Sequence, residues 1–137
     1  MTDVHEPEVR SYNMSRIRGK DTKPEMLVRR FLHSRGFRFR LHDNKLPGKP
    51  DIVLLKYKTV IFVNGCFWHG HDNCKYFKIP ATRTEWWFNK IVQNKRLDQI
   101  NCEKLTDLGW KVITIFECKL RKELQSETLN ELISNIY

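Results

Sequence analysis

The chain has 137 residues, of which 40% are hydrophobic and 30% are charged, and its formal net charge is +9. This length and composition predict one compact domain and exclude a disordered chain. The positive charge is concentrated, because residues 15–49 hold eleven basic and three acidic residues, a net of +8, and the remainder is almost neutral. Such a segment indicates a polyanionic partner, with nucleic acid favoured over an anionic membrane.

The sequence also predicts the compartment and the state of the cysteines. No apolar run approaches the ~20 residues that a transmembrane helix needs, and the acidic, polar start of the chain is unlike a signal peptide. We therefore expect a cytoplasmic protein whose residues 1–137 form a single domain. In a reducing compartment, the four cysteines are expected to be thiols or metal ligands rather than disulfides.

Apolar residues with helical spacing predict three helices, over 22–35, 85–108 and 119–137. Asp21 or Thr22 can cap the first helix, and Pro24 suits its first turn. Gly36 and Gly109 follow the ends of the first two helices, where a left-handed residue commonly terminates a helix.

Four strands are predicted, over 37–42, 51–55, 59–63 and 110–116. The first alternates apolar and polar residues, as a strand with one buried face does. The second and third are apolar throughout, which is typical of central strands, here a hairpin buried on both faces. A turn over 46–50 precedes this hairpin and a loop over 64–80 follows it. The order of elements predicts an α/β fold with a mixed central sheet flanked by helices.

The loop contains a cluster of metal-binding side chains. Cys66, His71 and Cys74 lie within nine residues, and Cys118 lies just after the fourth strand. Thiolate and imidazole are the ligands of closed, tetrahedral zinc sites, so the cluster predicts a structural zinc ion. Three alternatives remain on this evidence. The cysteines could be buried free thiols beside a surface histidine, His69 could replace His71 as the ligand, or Cys66 with Cys74 could form a redox pair.

A second set of residues suits phosphate chemistry. Asp51 begins a buried strand directly after a turn that carries Lys45 and Lys49. A carboxylate in this position can hold magnesium against a phosphate, although an aspartate that only caps a turn is the other interpretation. His69 is a candidate general base. Glu25, in the first turn of the first helix, is either an active-site carboxylate or a capping one.

Two aromatic pairs lie in or beside the loop, namely Phe67 with Trp68 and Trp86 with Trp87. Aromatic rings flanked by Arg and Lys are typical of residues that stack on bases or wedge into a duplex. The alternative interpretation is that they pack the loop onto the sheet, and both can hold together.

Several of these strings resemble the very short patch repair endonucleases, which are bacterial DNA mismatch nickases. They are LPGKPD at 46–51, GCFWH at 65–69, PATRTE at 80–85 and LGW at 108–110, and the resemblance extends from about residue 4 to residue 120. It implies a PD-(D/E)xK nuclease fold with a zinc-stapled loop. It also implies magnesium-dependent nicking of the T-containing strand at T:G mismatches, which arise when 5-methylcytosine is deaminated.

The resemblance implies a role for each catalytic candidate. Asp51 and the backbone carbonyl of Val63 are the expected magnesium ligands, and His69 is the expected general base. Glu25 and Asp98 are the expected further carboxylates of the active site.

Two further sets of residues follow from the same resemblance. The expected structural zinc ligands are Cys66, His71, Cys74 and Cys118. The expected DNA contacts are Met14, in an N-terminal arm over 1–20, and three wedging aromatics, Phe67, Trp68 and Trp87.

The chain departs from the family at one catalytic position. The family often has Thr-His where this sequence has Val63 and Asn64, so an imidazole beside the scissile phosphate is replaced by an amide that could position a water molecule. The expected partner is double-stranded DNA with a T:G mismatch, bound by a monomer at the nucleoid, with mismatch-repair proteins as further partners. A restriction-type nuclease that cuts both strands and a zinc-stapled DNA-binding module without catalysis are the alternatives.

Overall fold

The computed structural model describes residues 22–66 and 81–137. Six predicted site residues lie outside these ranges, as does the N-terminal arm over 1–20; the six are Met14, Phe67, Trp68, His69, His71 and Cys74. The helices and strands of the described part are, in chain order, α1 (Lys23–Ser34), β1 (Arg40–Leu41), β2 (Ile52–Leu54), β3 (Thr59–Asn64), α2 (Thr84–Asp107), β4 (Lys111–Phe116) and α3 (Gln125–Ile136).

The four strands form one mixed sheet in the order β1-β2-β3-β4. β1 with β2 and β2 with β3 are antiparallel, whereas β4 lies parallel to β3 after the crossover through α2. The central strands are β2 and β3, as the sequence predicted from their continuous apolar runs. The α/β class and the mixed sheet are therefore confirmed.

Helices cover both faces of the sheet, and each face has its own core. On one face, Ile52, Leu54 and Ile61 pack with residues of α1 and α3. On the other face, Val53 and Val60 pack with Leu105 of α2 and with Trp110. The alternation follows from the period of two along a strand, which sends successive side chains to opposite faces. The layers place α1 and α2 on opposite sides of the strand ends that carry the candidate site.

Local signals explain the boundaries of α1. Thr22 is the N-cap, and its side-chain oxygen accepts a hydrogen bond from the backbone N–H of Glu25 at 3.4 Å. Pro24 occupies the first turn, where its missing N–H costs nothing. Gly36 follows the helix with φ of +82°, a conformation in which glycine avoids the clash of a Cβ atom.

Two predicted elements are much shorter than the sequence suggested, whereas the other boundaries differ by one residue at most. The strand expected over 37–42 pairs only at Arg40 and Leu41, because its partner β2 ends at Leu54 and the chain then turns into a 3₁₀ helix over Leu55–Tyr57. The helix expected over 119–137 begins only at Gln125, after a 3₁₀ turn over Glu117–Leu120. No helix in the described ranges is both long enough and apolar enough to span a membrane.

Candidate active site

Asp51 is held at the entrance to β2 by the neighbouring strand. The backbone N–H of Val63 in β3 donates a hydrogen bond of 2.7 Å to Oδ2 of Asp51. One carboxylate oxygen is therefore occupied by the sheet, while Oδ1 faces the imidazole of His42 at 3.9 Å from Nδ1. This arrangement fixes the orientation of the carboxylate and keeps its second oxygen turned toward the cluster formed with α1.

Glu25 lies almost completely buried at the start of α1, with 2% of its surface exposed. Its carboxylate forms an ion pair with Arg29, one helical turn later, and lies 2.9 Å from Nε2 of His42. A buried carboxylate needs such partners, because an isolated charge is costly in the protein interior. Glu25 therefore faces into the protein, toward Asp51 and His42, and does more than cap the helix.

His42 completes the cluster and was missed by the sequence analysis. Its backbone N–H donates to the carbonyl of Asp51 at 3.1 Å, and its φ of +49° lies in the left-handed region. In the sequence it stands on the polar side of an alternating strand, beside Arg38 and Arg40, both of which are exposed. Only the change of backbone direction after β1 turns its side chain toward Glu25, so no local signal marked it.

Glu25, His42 and Asp51 form a group that could hold a metal ion. One ligand atom from each residue lies within 4.8 Å of the others, and the described residues contain this one group of at least three such side chains. The two carboxylates contribute two formal negative charges and Arg29 contributes one positive charge. The net negative charge and the oxygen ligands suit a divalent cation.

Two predicted catalytic residues lie outside this group. Asn64 is the last residue of β3 and is 8% exposed; by the alternation of the strand it belongs to the face covered by α2. Asp98 is half-buried on α2, one turn before Asn101. Neither is among the three residues that lie within 4.8 Å of one another.

The turn over 46–50 packs directly onto α2. An added Cβ at Gly48 would lie 3.0 Å from Cβ of Asn101 and 3.2 Å from Cζ of Phe62, and φ at Gly48 is +75°. Because Asp51 follows this turn, the close approach of Gly48 to the helix fixes the path of the chain into the site. The glycine is required here for both space and backbone conformation.

The Trp86–Trp87 pair is divided between core and surface. Trp87 is 3% exposed, whereas Trp86 is 41% exposed, and the two rings meet edge to face with centroids 4.6 Å apart. The guanidinium of Arg83 lies over the Trp86 ring, 5.1 Å from its centroid. Trp87 must leave the core before it can stack on a base, while Trp86 is already accessible.

Two of the predicted zinc ligands are described, and the sheet brings them to the same end of adjacent strands. Asn64 of β3 pairs in parallel register with Phe116 of β4, so Cys66 and Cys118 each lie two residues beyond this pair. The backbone N–H of Cys66 donates to Oε1 of Glu117 at 3.2 Å and ties the two strand ends together.

Cys102, on α2, differs from these two cysteines in its surroundings. Burial raises the pKa of its thiol, and the nearby carboxylates of Asp98 and Glu103 raise this pKa further. A raised pKa lowers the thiolate fraction at neutral pH and makes the side chain a weak nucleophile.

The basic residues of the described part remain in solvent. Seven Lys and Arg side chains between residues 22 and 49 are exposed: Lys23, Arg30, Arg35, Arg38, Arg40, Lys45 and Lys49. Arg29 is the exception, because it is half-buried against Glu25. An exposed basic set of this kind can contact a polyanion without rearrangement.

Comparisons with known proteins show which family the chain belongs to. The model of the family "DNA mismatch endonuclease Vsr" matches residues 2–75. The chain is 47% identical to the type II nicking enzyme V.NmeAIP of Neisseria meningitidis, over 99% of this chain and 97% of the relative. It is 45% identical to the DNA mismatch endonuclease Vsr of Escherichia coli, over 96% and 85% of the two chains. The chain therefore belongs to the Vsr family of DNA mismatch endonucleases.

Proposed function

We propose that this protein nicks the T-containing strand of double-stranded DNA at T:G mismatches, in very short patch repair. The family membership makes it a DNA endonuclease, a hydrolase of phosphodiester bonds. The observation that carries the proposal is the convergence of Glu25 and Asp51, which α1 and β2 bring to one half-buried cluster with His42. Two carboxylates in one cluster suit a divalent cation, and we propose Mg²⁺ as the natural one.

The residues of the chain would prepare the site for hydrolysis. When bound, the cation would neutralise the charge that develops on the phosphoryl group and favour ionisation of the attacking water. Asp51 and the carbonyl of Val63 would hold it, and the N–H of Val63 already fixes Oδ2 of Asp51 at 2.7 Å. We propose that His69 accepts the proton of the water, while Asn64 and Asp98 orient further water molecules. A new P–O bond to the water oxygen replaces the P–O bond to the deoxyribose.

We propose that the fold is of the PD-(D/E)xK nuclease type. Three features support this assignment: a carboxylate at the start of a central strand, an antiparallel hairpin that follows it, and a helical crossover to a parallel strand. In this arrangement Asp51 is the strand-end aspartate, and Glu25 is the carboxylate supplied by the first helix.

A duplex would approach the end of the sheet that carries Asp51. The exposed Lys and Arg side chains of α1 and of the turns around β1 supply phosphate contacts, which orient DNA without reading its sequence. We propose that Phe67 and Trp68 wedge into the stack at the mismatch, where separating bases costs less than in a paired duplex. We propose that Trp87 joins them only after its ring, 3% exposed in the free protein, leaves its buried position. We assign Met14 to the minor groove.

We propose that Cys66, His71, Cys74 and Cys118 hold a structural zinc ion. The parallel register of β3 and β4 supports this proposal, because it brings Cys66 and Cys118 to matching positions beyond adjacent strand ends. The zinc would connect the loop over 64–80 to the sheet at the edge of the active site.

We place the enzyme, as a monomer, in the bacterial cytoplasm at the nucleoid, where its DNA substrate is found. Mismatch-repair proteins are the proposed partners in the cell.

Strand-resolved cleavage of end-labelled duplexes tests the function. A T:G duplex is compared with T:A and C:G duplexes, with Mg²⁺ and with EDTA, for the unmodified protein and for Asp51→Asn. Asp107→Asn is the matched control, because Asp107 is an exposed carboxylate at the end of α2. We expect Mg²⁺-dependent nicking of the T strand alone, retained by Asp107→Asn and abolished by Asp51→Asn. Cutting of both strands in matched DNA would refute the proposed nicking activity, and binding without cleavage would refute the assignment as an enzyme.

A further inference from the structure

We propose that Nδ1 of His42 binds the same metal ion as Asp51, and that Glu25 holds the imidazole in place through Nε2. This inference rests on the proposed function, which assigns a cation to Asp51. It adds a nitrogen ligand to a site otherwise built from oxygen atoms, and it therefore concerns which cations the enzyme binds best.

The position of the imidazole is fixed by a backbone hydrogen bond of His42 and by the burial of its ring. The backbone N–H of His42 donates to the carbonyl of Asp51 at 3.1 Å, so the two residues are bound to each other across the β1–β2 pair. The ring is mostly buried, with 13% of the side chain exposed. His42 therefore has little freedom to turn away from the carboxylates.

Glu25 lies where it can accept the proton that the ring must carry on Nε2 when an ion binds at Nδ1. Nε2 lies 2.9 Å from Oε2 of Glu25, and a carboxylate oxygen accepts a bond from Nε2–H. Nη2 of Arg29 also donates to Oε2, and it lies 2.9 Å from Nε2 as well. A guanidinium can only donate, so Nε2 accepts from Arg29 in one tautomer of the ring and donates to Glu25 in the other. A cation at Nδ1 selects the tautomer that has the proton on Nε2 and the lone pair on Nδ1, and Oε2 of Glu25 then accepts the Nε2–H. A carboxylate that orients a metal-binding histidine in this way is common in metal sites.

Nδ1 of His42 faces Asp51. Nδ1 lies 3.9 Å from Oδ1, the oxygen that is not bound to the N–H of Val63. An ion that binds nitrogen and oxygen ligands at roughly 2.1 Å holds two of them about 3.0–3.4 Å apart. A movement of roughly 0.5–0.9 Å of either side chain is therefore enough for Nδ1 and Oδ1, now 3.9 Å apart, to share one ion.

The added nitrogen changes the preference of the site. Mg²⁺ selects oxygen ligands and keeps most of its water, whereas imidazole favours transition-metal ions. We infer that this enzyme binds Mn²⁺ more tightly than Mg²⁺, and that His42 is responsible for most of the difference. Mn²⁺ is the probe of choice because it has little affinity for the thiolates of the proposed zinc site.

The test measures Mn²⁺ binding to the full chain without DNA, from the electron paramagnetic resonance signal of free Mn²⁺, and Mg²⁺ binding by competition. His42→Gln keeps a donor that can reach Glu25 but removes the Nδ1 ligand. His33→Gln is the matched control, because His33 is exposed on α1. We expect His42→Gln to weaken Mn²⁺ binding about tenfold or more, with a smaller effect on Mg²⁺, and His33→Gln to change neither. Equal loss of both ions, or no loss of Mn²⁺ affinity, would overturn the inference.

Two further measurements keep the outcomes distinct. If Asp51→Asn still binds Mn²⁺ as tightly as the unmodified protein, the metal role of Asp51 in the proposed function fails together with the inference. If Asp51→Asn loses the ion and His42→Gln does not, the inference alone fails. Should His42→Gln not fold, the unmodified protein with ¹⁵N-labelled histidine is titrated with ¹¹³Cd²⁺. Scalar coupling between cadmium and Nδ1 of His42 would support coordination, and its absence would overturn it.

Discussion

Replacement of Gly48 by alanine places one methyl group between the turn over 46–50 and α2. The added Cβ would lie 3.0 Å from Cβ of Asn101 and 3.2 Å from Cζ of Phe62. The nearest atom cannot rotate away, because it is the Cβ of a helical residue. The turn must therefore move, and Asp51, which follows it, must move with it.

The magnitude follows from two costs at the same position. Gly48 has φ of +75°, and an ordinary residue in the left-handed region costs about 1–2 kcal/mol. Overpacking a tight contact costs about 1–3 kcal/mol more. Alanine also reduces the conformational entropy of the unfolded chain, which offsets about 0.4–1 kcal/mol of this loss. We therefore expect the free energy of unfolding to fall by about 2–4 kcal/mol.

Gly36→Ala is a control that separates strain from packing. Gly36 has φ of +82°, but no atom lies within 4 Å of its added Cβ. This variant should lose about 1 kcal/mol through backbone strain alone. Because Gly36 follows α1, away from the turn that leads to Asp51, its nicking rate per folded molecule should equal that of the unmodified protein.

The assay combines urea unfolding with single-turnover nicking of a T:G duplex, at a temperature where all variants are folded. Misplacement of a catalytic group by about 1 Å can cost about 10² in rate, so Gly48→Ala should nick at least about tenfold more slowly than Gly36→Ala. Equal stability of the two variants would show that the contact with α2 is not tight. Equal nicking rates would show that this contact does not position Asp51, and the reasoning would be wrong.

Three further predictions concern side chains away from the turn. Trp87→Ala should lower the free energy of unfolding by about 3–5 kcal/mol, as the loss of a buried aromatic side chain does. Trp86→Ala should leave the stability nearly unchanged and should weaken binding to a T:G duplex. Equal stability losses would contradict the burial difference. Cys102 should react with iodoacetamide at pH 8 more slowly than an exposed cysteine, because its raised pKa lowers the thiolate fraction. Asp98→Asn should lower the pKa of Cys102 and make alkylation faster. Peptide mass spectrometry measures the alkylated fraction. Cys66→Ala should release the proposed zinc and lower thermal stability, and a variant that keeps one equivalent of zinc by elemental analysis would refute this ligand.

Local patterns in the sequence predicted most of the secondary structure. Caps and glycines mark the ends of α1 and α2, and continuous apolar runs mark β2 and β3 as central strands. These signals are carried by neighbours in the chain, so they can be read without the tertiary structure. The length of β1 was overestimated because the length of a strand depends on its partner, and β2 ends at Leu54. The length of the last helix was also overestimated, because the spacing of apolar residues did not reveal the 3₁₀ turn over Glu117–Leu120.

The sequence determined that Asp51 and Glu25 are chemically suited to a nuclease site, through their positions at a strand start and a helix start and through the family resemblance. Only the tertiary structure decided that they meet, and that His42 lies between them. The physical reason is that the three residues belong to different elements, and their approach depends on packing α1 and the β1–β2 pair around a common core. The same holds for Trp86 and Trp87, because adjacent aromatic residues look alike in sequence and packing alone places one in the core and the other in solvent.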